Sequence, residues 1–482
     1  MQPQVFSLLV FMIENADRVV SKDEIIDNVW GGRIVSDGTL NARINALRRA
    51  LGDDGARQGV IKTLPRQGFR FVAKLGNGAI NATSDAKPDT PSRNRPSIAV
   101  LPFANMSGDP EQQYFADGLT EDLITDLCKI PDIFVIARNS SFAWRNSPKS
   151  ISEIGRDLGV ATMLEGSVRR AGDRIRINAQ LIDVETGGHV WADRYDGTMD
   201  DIFDVQDEIT AKIIAALKVN LAGQRPDKRA THSVKAYELC LQGRAEFFMF
   251  SPQTSRRAIA LLEQAIEIDP AFSDAWAYQV HPYQSGWSFC WDGYDDGLAI
   301  AAQKAAVAVD LGPNSSLAHT RLGWTKVFEK MPEQSVACFE RALELDPNNA
   351  DTHLWYSEAL NFGGEPEKAL KIAKRALVFD PVAPPNVLHH IGHSHFLLGD
   401  LGQSVEYIRR AIRIAPSFTP ARIMLAAAYV EQGQVDAARD QIADLLTIDP
   451  GYSFQRFNAR YPYSNADYRE RVLKALNTAG LE

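Results

Sequence analysis

The order of apolar and polar positions divides the chain into three kinds of segment. Near the start, Leu8, Leu9, Met12 and Ile13 fall at helical spacing. Ser21-Lys-Asp-Glu24 has the form of a capping box, with Ile25, Ile26, Val29 and Trp30 on one face behind it. Gly31-Gly32 ends that helix. Ser36 or Asp37 can cap the next, where Leu40, Ile44, Leu47 and Leu51 recur at i, i+4, i+7 and i+11 and form one apolar stripe. Gly52 closes it. Residues 60–64 and 69–72 then alternate as strands around Pro65-Arg66-Gln67-Gly68, which predicts a hairpin with an exposed Arg at its tip.

Between residues 97 and 222, short apolar runs alternate with helical ones. Strands are expected over 97–103, 133–137, 163–170, 174–183 and 189–195, and helices over 111–127, 152–158 and 202–221. Ala171-Gly172-Asp173 and Glu185-Thr-Gly-Gly188 are hairpin turns. This pattern predicts an α/β module.

From residue 234 the pattern becomes periodic. Prolines at 313, 347, 381, 416 and 450 stand 34, 34, 35 and 34 residues apart, each closing an amphipathic helix. Pro270 precedes the first by 43, so that repeat carries an insertion, with Trp287, Phe289 and Trp291 in it. Small residues recur at one helix position (Ala258, Ser335, Ala369, Ser404, Ala438) and at a second (Ala265, Ala342, Ala376, Ala411). Small side chains let paired helices approach closely, so about six helix pairs are expected to stack into an all-α solenoid.

Composition then places the boundaries. Residues 76–96 hold almost no large apolar side chain and cannot offset their ordering entropy, so they read as a flexible linker. A softer break falls at 223–233. The domains are therefore expected at 1–75, 97–222 and 234–482, in a multidomain α+β chain. The chain's 45% hydrophobic and 23% charged residues exclude collagen and global disorder. No run approaches the roughly 18 apolar residues of a membrane span, and the opening apolar run lacks the flanks of a signal peptide. The four cysteines are far apart and form no zinc-knuckle spacing. A cytoplasmic protein is expected. Charge is unevenly distributed: residues 1–75 hold 11 basic and 8 acidic side chains, net +3, leaving −12 on the rest. A basic module on an acidic body suits contact with a polyanion.

The face opposite the 40–51 stripe carries Asn41, Asn45 and Arg48, flanked by Thr39, Arg43 and Arg49. Such a helix can enter a major groove, where Asn pairs with adenine and Arg with guanine or phosphate, and Arg66 with Arg70 on the hairpin can reach the minor groove or backbone. The stretch RVVSKDEIIDNVWGGRIVSDGTLNARINALRRALGDD…IKTLPRQGFRFV resembles the OmpR/PhoB-type winged-helix DNA-binding family. That resemblance implies a winged helix-turn-helix, binding to double-stranded DNA, and contacts from Thr39, Asn41, Arg43, Asn45, Arg48, Arg66 and Arg70. Arg43 stands where His is usual, and Asn45 and Ala46 stand where basic residues are common, so base preference does not carry over. The family's opening antiparallel sheet has no counterpart here; either it is absent or the start lies too late.

SIAVLPFANMSGDPEQQYFADGLTEDLITDL…GSVRRAGDRIRINAQLIDVETGGHVWADRYD is similar to the TolB N-terminal-like module, which implies an α/β fold without an agreed chemistry. No phosphate-binding loop, nucleophile elbow or metalloprotease motif occurs, so neither enzymatic activity nor a cofactor is expected. Asp109, Glu111, Asp117, Glu121 and Asp122 read as a solvated acidic helix start. Arg169, Arg170, Arg174 and Arg176 read as the polar face of a hairpin. His319, His353, Tyr356, His395 and Arg422 are candidates to line a groove for a protein or peptide. His389 and His393 have the i, i+4 spacing of zinc ligands, but no neighbouring Cys or acidic residue except Asp400 completes a set, so packed or groove-facing histidines are expected. The expected function is a transcriptional regulator, possible as a homodimer, with no membrane attachment. The alternative is an interaction scaffold whose shortened winged helix no longer binds DNA.

Overall fold

The computed structural model describes residues 8, 11–12, 15, 18–30, 37–50, 53, 59–64, 68–73, 95–217, 219 and 230–482. It forms two compact units, Met1–Lys87 and Pro88–Glu482. Residues 76–94 of the linker expected at 76–96, and the hairpin tip at 65–67, lie outside the described residues.

In the first unit, α1 (Lys22–Trp30) and α2 (Asp37–Ala50) precede a hairpin of β1 (Ile61–Leu64) and β2 (Gly68–Phe71). The capping box is reciprocal: Ser21 N donates to Glu24 Oε2 over 2.8 Å, and Glu24 N donates to Ser21 Oγ over 3.2 Å. Leu40, Ile44 and Leu47 are buried with Leu8, Met12, Ile25, Ile61, Phe69 and Phe71 in one core. Val20 pairs with Phe69 on both sides, through backbone hydrogen bonds of 2.8 and 2.9 Å, and adds a third short strand edge to the hairpin. Gly68 makes that possible. Its φ is +133°, and a Cβ there would lie 2.0 Å from the Val20 carbonyl oxygen.

The second unit contains both the α/β module and the solenoid. Strands β3 (Ser97–Val100), β4 (Ala104–Asn105), β5 (Phe134–Val135), β6 (Thr162–Ala171), β7 (Arg174–Asp183) and β8 (His189–Thr198) form one mixed sheet in the order β5-β3-β6-β7-β8, with β4 on β6. The β3 pairings are parallel, and β6 to β8 form an antiparallel meander. Side chains alternate across the sheet. Ile98 and Val100 point into the layer made by α3 (Gln113–Cys128) and α6 (Ile202–Ala216). Ala99 points the other way, towards Ile154 and Leu158 of α5 (Ile151–Leu158), which follows the short α4 (Arg138–Phe142).

The solenoid comprises six helix pairs among the described residues. They are α7 (Val234–Phe248) with α8 (Pro252–Ile268), α9 (Ser273–Ser288) with α10 (Gly297–Leu311), α11 (Ser316–Phe328) with α12 (Pro332–Leu345), α13 (Ala350–Gly363) with α14 (Pro366–Phe379), α15 (Pro385–Leu397) with α16 (Leu401–Ile414), and α17 (Thr419–Glu431) with α18 (Val435–Ile448). Helices α19 (Phe454–Arg460) and α20 (Ala466–Thr478) follow. The recurring small residues are all buried at the contacts between helices.

The sequence suggests that 97–222 and 234–482 are separate bodies. In the structure they share a core. Phe379 and Ala350 of the solenoid belong to the same apolar cluster as Ala99, Phe134, Ile154 and Leu158 of the module, and the Phe134 and Phe379 rings stack at 5.6 Å. Asn348 Nδ2 donates to the carbonyls of Cys128, Ile130 and Ile133 at 3.0–3.1 Å. Asp380 accepts from Ser140 and Asn139. On the other side, Arg244 of α7 bridges Glu121 and Asp122 of α3, Tyr237 donates to Asp122, and Arg170 pairs with Glu238. Of the acidic run, Asp109 and Glu111 are exposed at a helical start, with Asp109 capping it, but the residues on α3 are not solvated. The run's last two carboxylates are internal partners of the first solenoid helix, which the sequence pattern cannot show because the partners lie more than 100 residues away.

Candidate nucleic-acid interface and a buried histidine cluster

The hairpin is fastened to α2 by two side chains near the end of that helix. Arg48 donates to the Ile61 carbonyl from Nη2 over 2.9 Å and from Nε over 3.2 Å, and to Thr63 Oγ1 over 2.8 Å. Asp53, just beyond α2, accepts from the backbone N–H groups of Gly59, Val60 and Ile61 at 2.8–3.1 Å. Burial pushes the Asp53 carboxyl up, but these three donors together with Arg48 pull it further down, below the ordinary aspartate value. Together the two residues set the angle between helix and hairpin.

This corrects the sequence-based view of Arg48. It is 6% exposed and committed to the hairpin, not displayed on the open face. On α2 the outward positions include Asn45 and Ala42, with Arg43 half-buried beside them. Asn45 Oδ1 lies 3.5 Å from Arg48 Nη1. Arg70 is exposed on β2, between the inward-facing Phe69 and Phe71. Thr39 and Asn41 belong to the same helical backbone, but their side chains, like all of Arg66, lie outside the described residues. The geometry thus puts a polar helix face and an arginine-bearing hairpin on a single core, with Arg48 and Asp53 as the joint.

In the solenoid, the groove candidates separate. His353 and Tyr356 are buried in the stack and line no groove, and burial lowers the His353 imidazole to about 4. His319 and Arg422 are half-buried, and both are bonded to backbone of their own repeat, at Pro313 and Pro416. His395 is half-buried 3.4 Å from Asp400. The half-buried Phe289 and Trp291 gather with the exposed Phe250, which sits 5.4 Å from Phe289 and 5.6 Å from Trp291, whereas Trp287 packs on Phe328 instead.

His389 and His393 do have an acidic neighbour, contrary to the sequence-based expectation. Glu358 of α13 reaches between them: its Oε1 lies 2.9 Å from His393 Nδ1 and 3.6 Å from His389 Nε2. All three are buried. Glu358 Oε2 accepts from Asn361 Nδ2 at 2.9 Å, and Asn361 Oδ1 accepts from Ser394 Oγ at 2.8 Å. The Tyr463 hydroxyl lies 2.7 Å from His393 Nε2. The missed signal was the period itself. Positions one repeat apart stack on each other, and Glu358 and His393 are 35 residues apart.

Comparison with known proteins agrees with the two ends of the chain. Residues 1–71 match the family "Transcriptional regulatory protein, C terminal". Residues 317–349, 338–371 and 395–456 match tetratricopeptide repeat families. The chain is 46% identical over 246 residues, half of its own length, to "Putative adenylate cyclase 3" of Rhizobium meliloti, of which that match covers 42%. It is 25% identical over 274 residues to the transcriptional regulator HilA of Salmonella typhi, 56% of this chain and 46% of that one. It is 35% identical over 76 residues to the phosphate regulon transcriptional regulatory protein PhoB of Escherichia coli, 16% of this chain and 33% of that one. The chain therefore spans less than half the length of each of these relatives. Among the described residues no helix is long and apolar enough to cross a membrane. The chain carries, at its N-terminus, a DNA-binding domain of the OmpR/PhoB-type transcriptional regulators, and tetratricopeptide repeats follow it.

Proposed function

We propose that this protein is a transcriptional regulator whose winged helix binds double-stranded DNA and whose solenoid takes up a protein or peptide that sets its activity. The observation that carries this reading is the joint at Arg48 and Asp53. It holds a polar recognition helix and an arginine-bearing hairpin at a fixed angle, as simultaneous major-groove and backbone contact requires. In this reading Thr39, Asn41, Arg43 and Asn45 face the major groove, Arg66 and Arg70 meet the backbone or minor groove, and Arg48 positions the hairpin. The domain binds as a dimer, the protein is cytoplasmic, and the 97–222 region is a TolB-like module that anchors the solenoid. The chain itself is not an enzyme.

The test is a fluorescence-anisotropy titration of random duplex DNA with the full chain and the Arg43→Ala/Arg66→Ala/Arg70→Ala variant, across a salt series. Each lost phosphate contact should lower the slope of log affinity against log salt by about 0.9. Absence of salt-dependent binding by the folded wild-type chain would leave the scaffold reading in its place.

A further inference from the structure

Helices α13 and α15 place one carboxylate and two imidazoles in the buried interior between adjacent repeats. One donor atom from each of Glu358, His389 and His393 lies within 4.8 Å of the others, and the three side chains are at most 5% exposed. Their hydrogen bonding is incomplete. His389 Nδ1 is buried with no partner, and its Nε2, at 3.6 Å from Glu358 Oε1, is beyond hydrogen-bond reach. A buried imidazole with neither nitrogen hydrogen-bonded is costly, and such groups call for an explanation.

The two donor separations from Glu358 suit a cation. Zinc bonds of about 2.0–2.1 Å in a tetrahedron put neighbouring donors about 3.3 Å apart. The two separations from Glu358 Oε1, 2.9 and 3.6 Å, bracket that value. The surrounding bonds are those that orient metal ligands. Asn361 holds the far oxygen of Glu358. Tyr463 can accept from His393 Nε2–H and turn its own hydrogen towards Met424 Sδ, 3.9 Å away, which leaves His393 Nδ1 with a lone pair for a metal. Two histidines one helical turn apart with a carboxylate from another helix are a donor set of borderline character, suited to zinc and its neighbours and poorly suited to calcium or magnesium.

We propose that Glu358, His389 and His393 bind a divalent transition-metal cation of the zinc class, clamping the repeat of α13 and α14 to that of α15 and α16. Binding moves the His393 proton from Nδ1 to Nε2, where the Tyr463 oxygen accepts it; the His393–Glu358 hydrogen bond is given up and the Tyr463 hydroxyl hydrogen turns to Met424 Sδ. The fourth coordination position falls to water.

The full chain, stripped with a chelator and desalted, is titrated with zinc chloride by calorimetry, and with cobalt(II) to read its visible absorption. His389→Ala and Glu358→Gln are measured alongside. His389 makes no hydrogen bond in the cluster, and Gln is isosteric with Glu, so both chains should fold; circular dichroism checks this. The proposal expects one equivalent of zinc, a tetrahedral cobalt spectrum, and affinity about 100-fold weaker or worse in both variants. His389→Gln replaces His389→Ala should the latter unfold. Equal zinc affinity in wild type and folded variants, or no binding by wild type, overturns the proposal and leaves a buried carboxylate–imidazole hydrogen bond.

Discussion

Arg48→Ala separates a residue that shapes the DNA-binding surface from residues that touch DNA. The change deletes two bonds to the Ile61 carbonyl and one to Thr63. Hydrogen bonds to charged groups contribute about 1.5–3 kcal/mol each, but two of these share one acceptor, so the loss is about 3 kcal/mol rather than the full total. With every 1.4 kcal/mol worth a factor of ten, amide hydrogen exchange in peptides covering α2 and the hairpin should speed up by about 100-fold, with peptides of the second unit unchanged. The DNA measurement should move differently. The salt slope should match wild type, and affinity should fall only as far as the first unit's folded population falls. Arg43→Ala should instead lower the slope by about 0.9. Arg48→Lys keeps the charge but not the fork of donors, and should behave like the alanine variant in exchange. Unchanged exchange in Arg48→Ala together with a slope reduced by about one would refute the reasoning and return Arg48 to the DNA-facing surface.

Three further perturbations probe other joints. Gly68→Ala should open the Val20–Phe69 pairing, because the residue sits at φ +133° with a carbonyl 2.0 Å from the new Cβ; enhanced exchange at Val20 and Phe69 and loss of DNA binding would report it. Arg244→Met leaves Glu121 to Arg138 and the half-buried Asp122 to Tyr237 and Gln206, and should cost about 3 kcal/mol, read as a lower denaturant midpoint of the full chain; a midpoint within error of wild type would contradict the bridge. Burial raises the Asp380 carboxyl from 3.8 to about 6 against the pull of Ser140 and Asn139. The folded chain therefore holds this proton more tightly than the unfolded one. That stability is fully present below pH 4 and is lost as pH rises through 6, by about 3 kcal/mol. Asp380→Asn should flatten the dependence of the midpoint between pH 4 and 6, and an unchanged profile would count against this assignment.

What could be read in advance followed the range of each interaction. The Ser21–Glu24 box, the Leu40–Leu47 stripe, the β6–β7 turn and the proline period are local or repetitive, and each appears where the pattern puts it. Arg48 misled because a helical wheel locates a Cβ, whereas its long side chain follows a carbonyl 13 residues later. Glu121 and Asp122 looked like a charged helix start because Arg244 is more than 120 residues away. The module and solenoid looked separable because a polar break in composition at 223–233 says nothing of the contact made by Phe379 and Asn348, which come from repeats far downstream. Glu358 was within reach of sequence reasoning, had the 34-residue spacing been used to stack side chains as well as helices.

Repeat arrays ordinarily grow and shrink by whole units, since each unit needs only its neighbours. The module removes that freedom here. Asn348 and Asp380 sit at successive repeat boundaries and each meets a different part of it. Deleting or duplicating the repeat between them would shift one contact by a full unit while the other stayed fixed. Copy number is therefore locked from α7 to α14, and the segment after α18 extends the lock, since Arg456 reaches the Phe289 carbonyl and Ser464 the Phe362 carbonyl. A repeat inserted or lost anywhere between α7 and α18 would tear one of these contacts from its partner, so the array should tolerate substitution far better than a change of length.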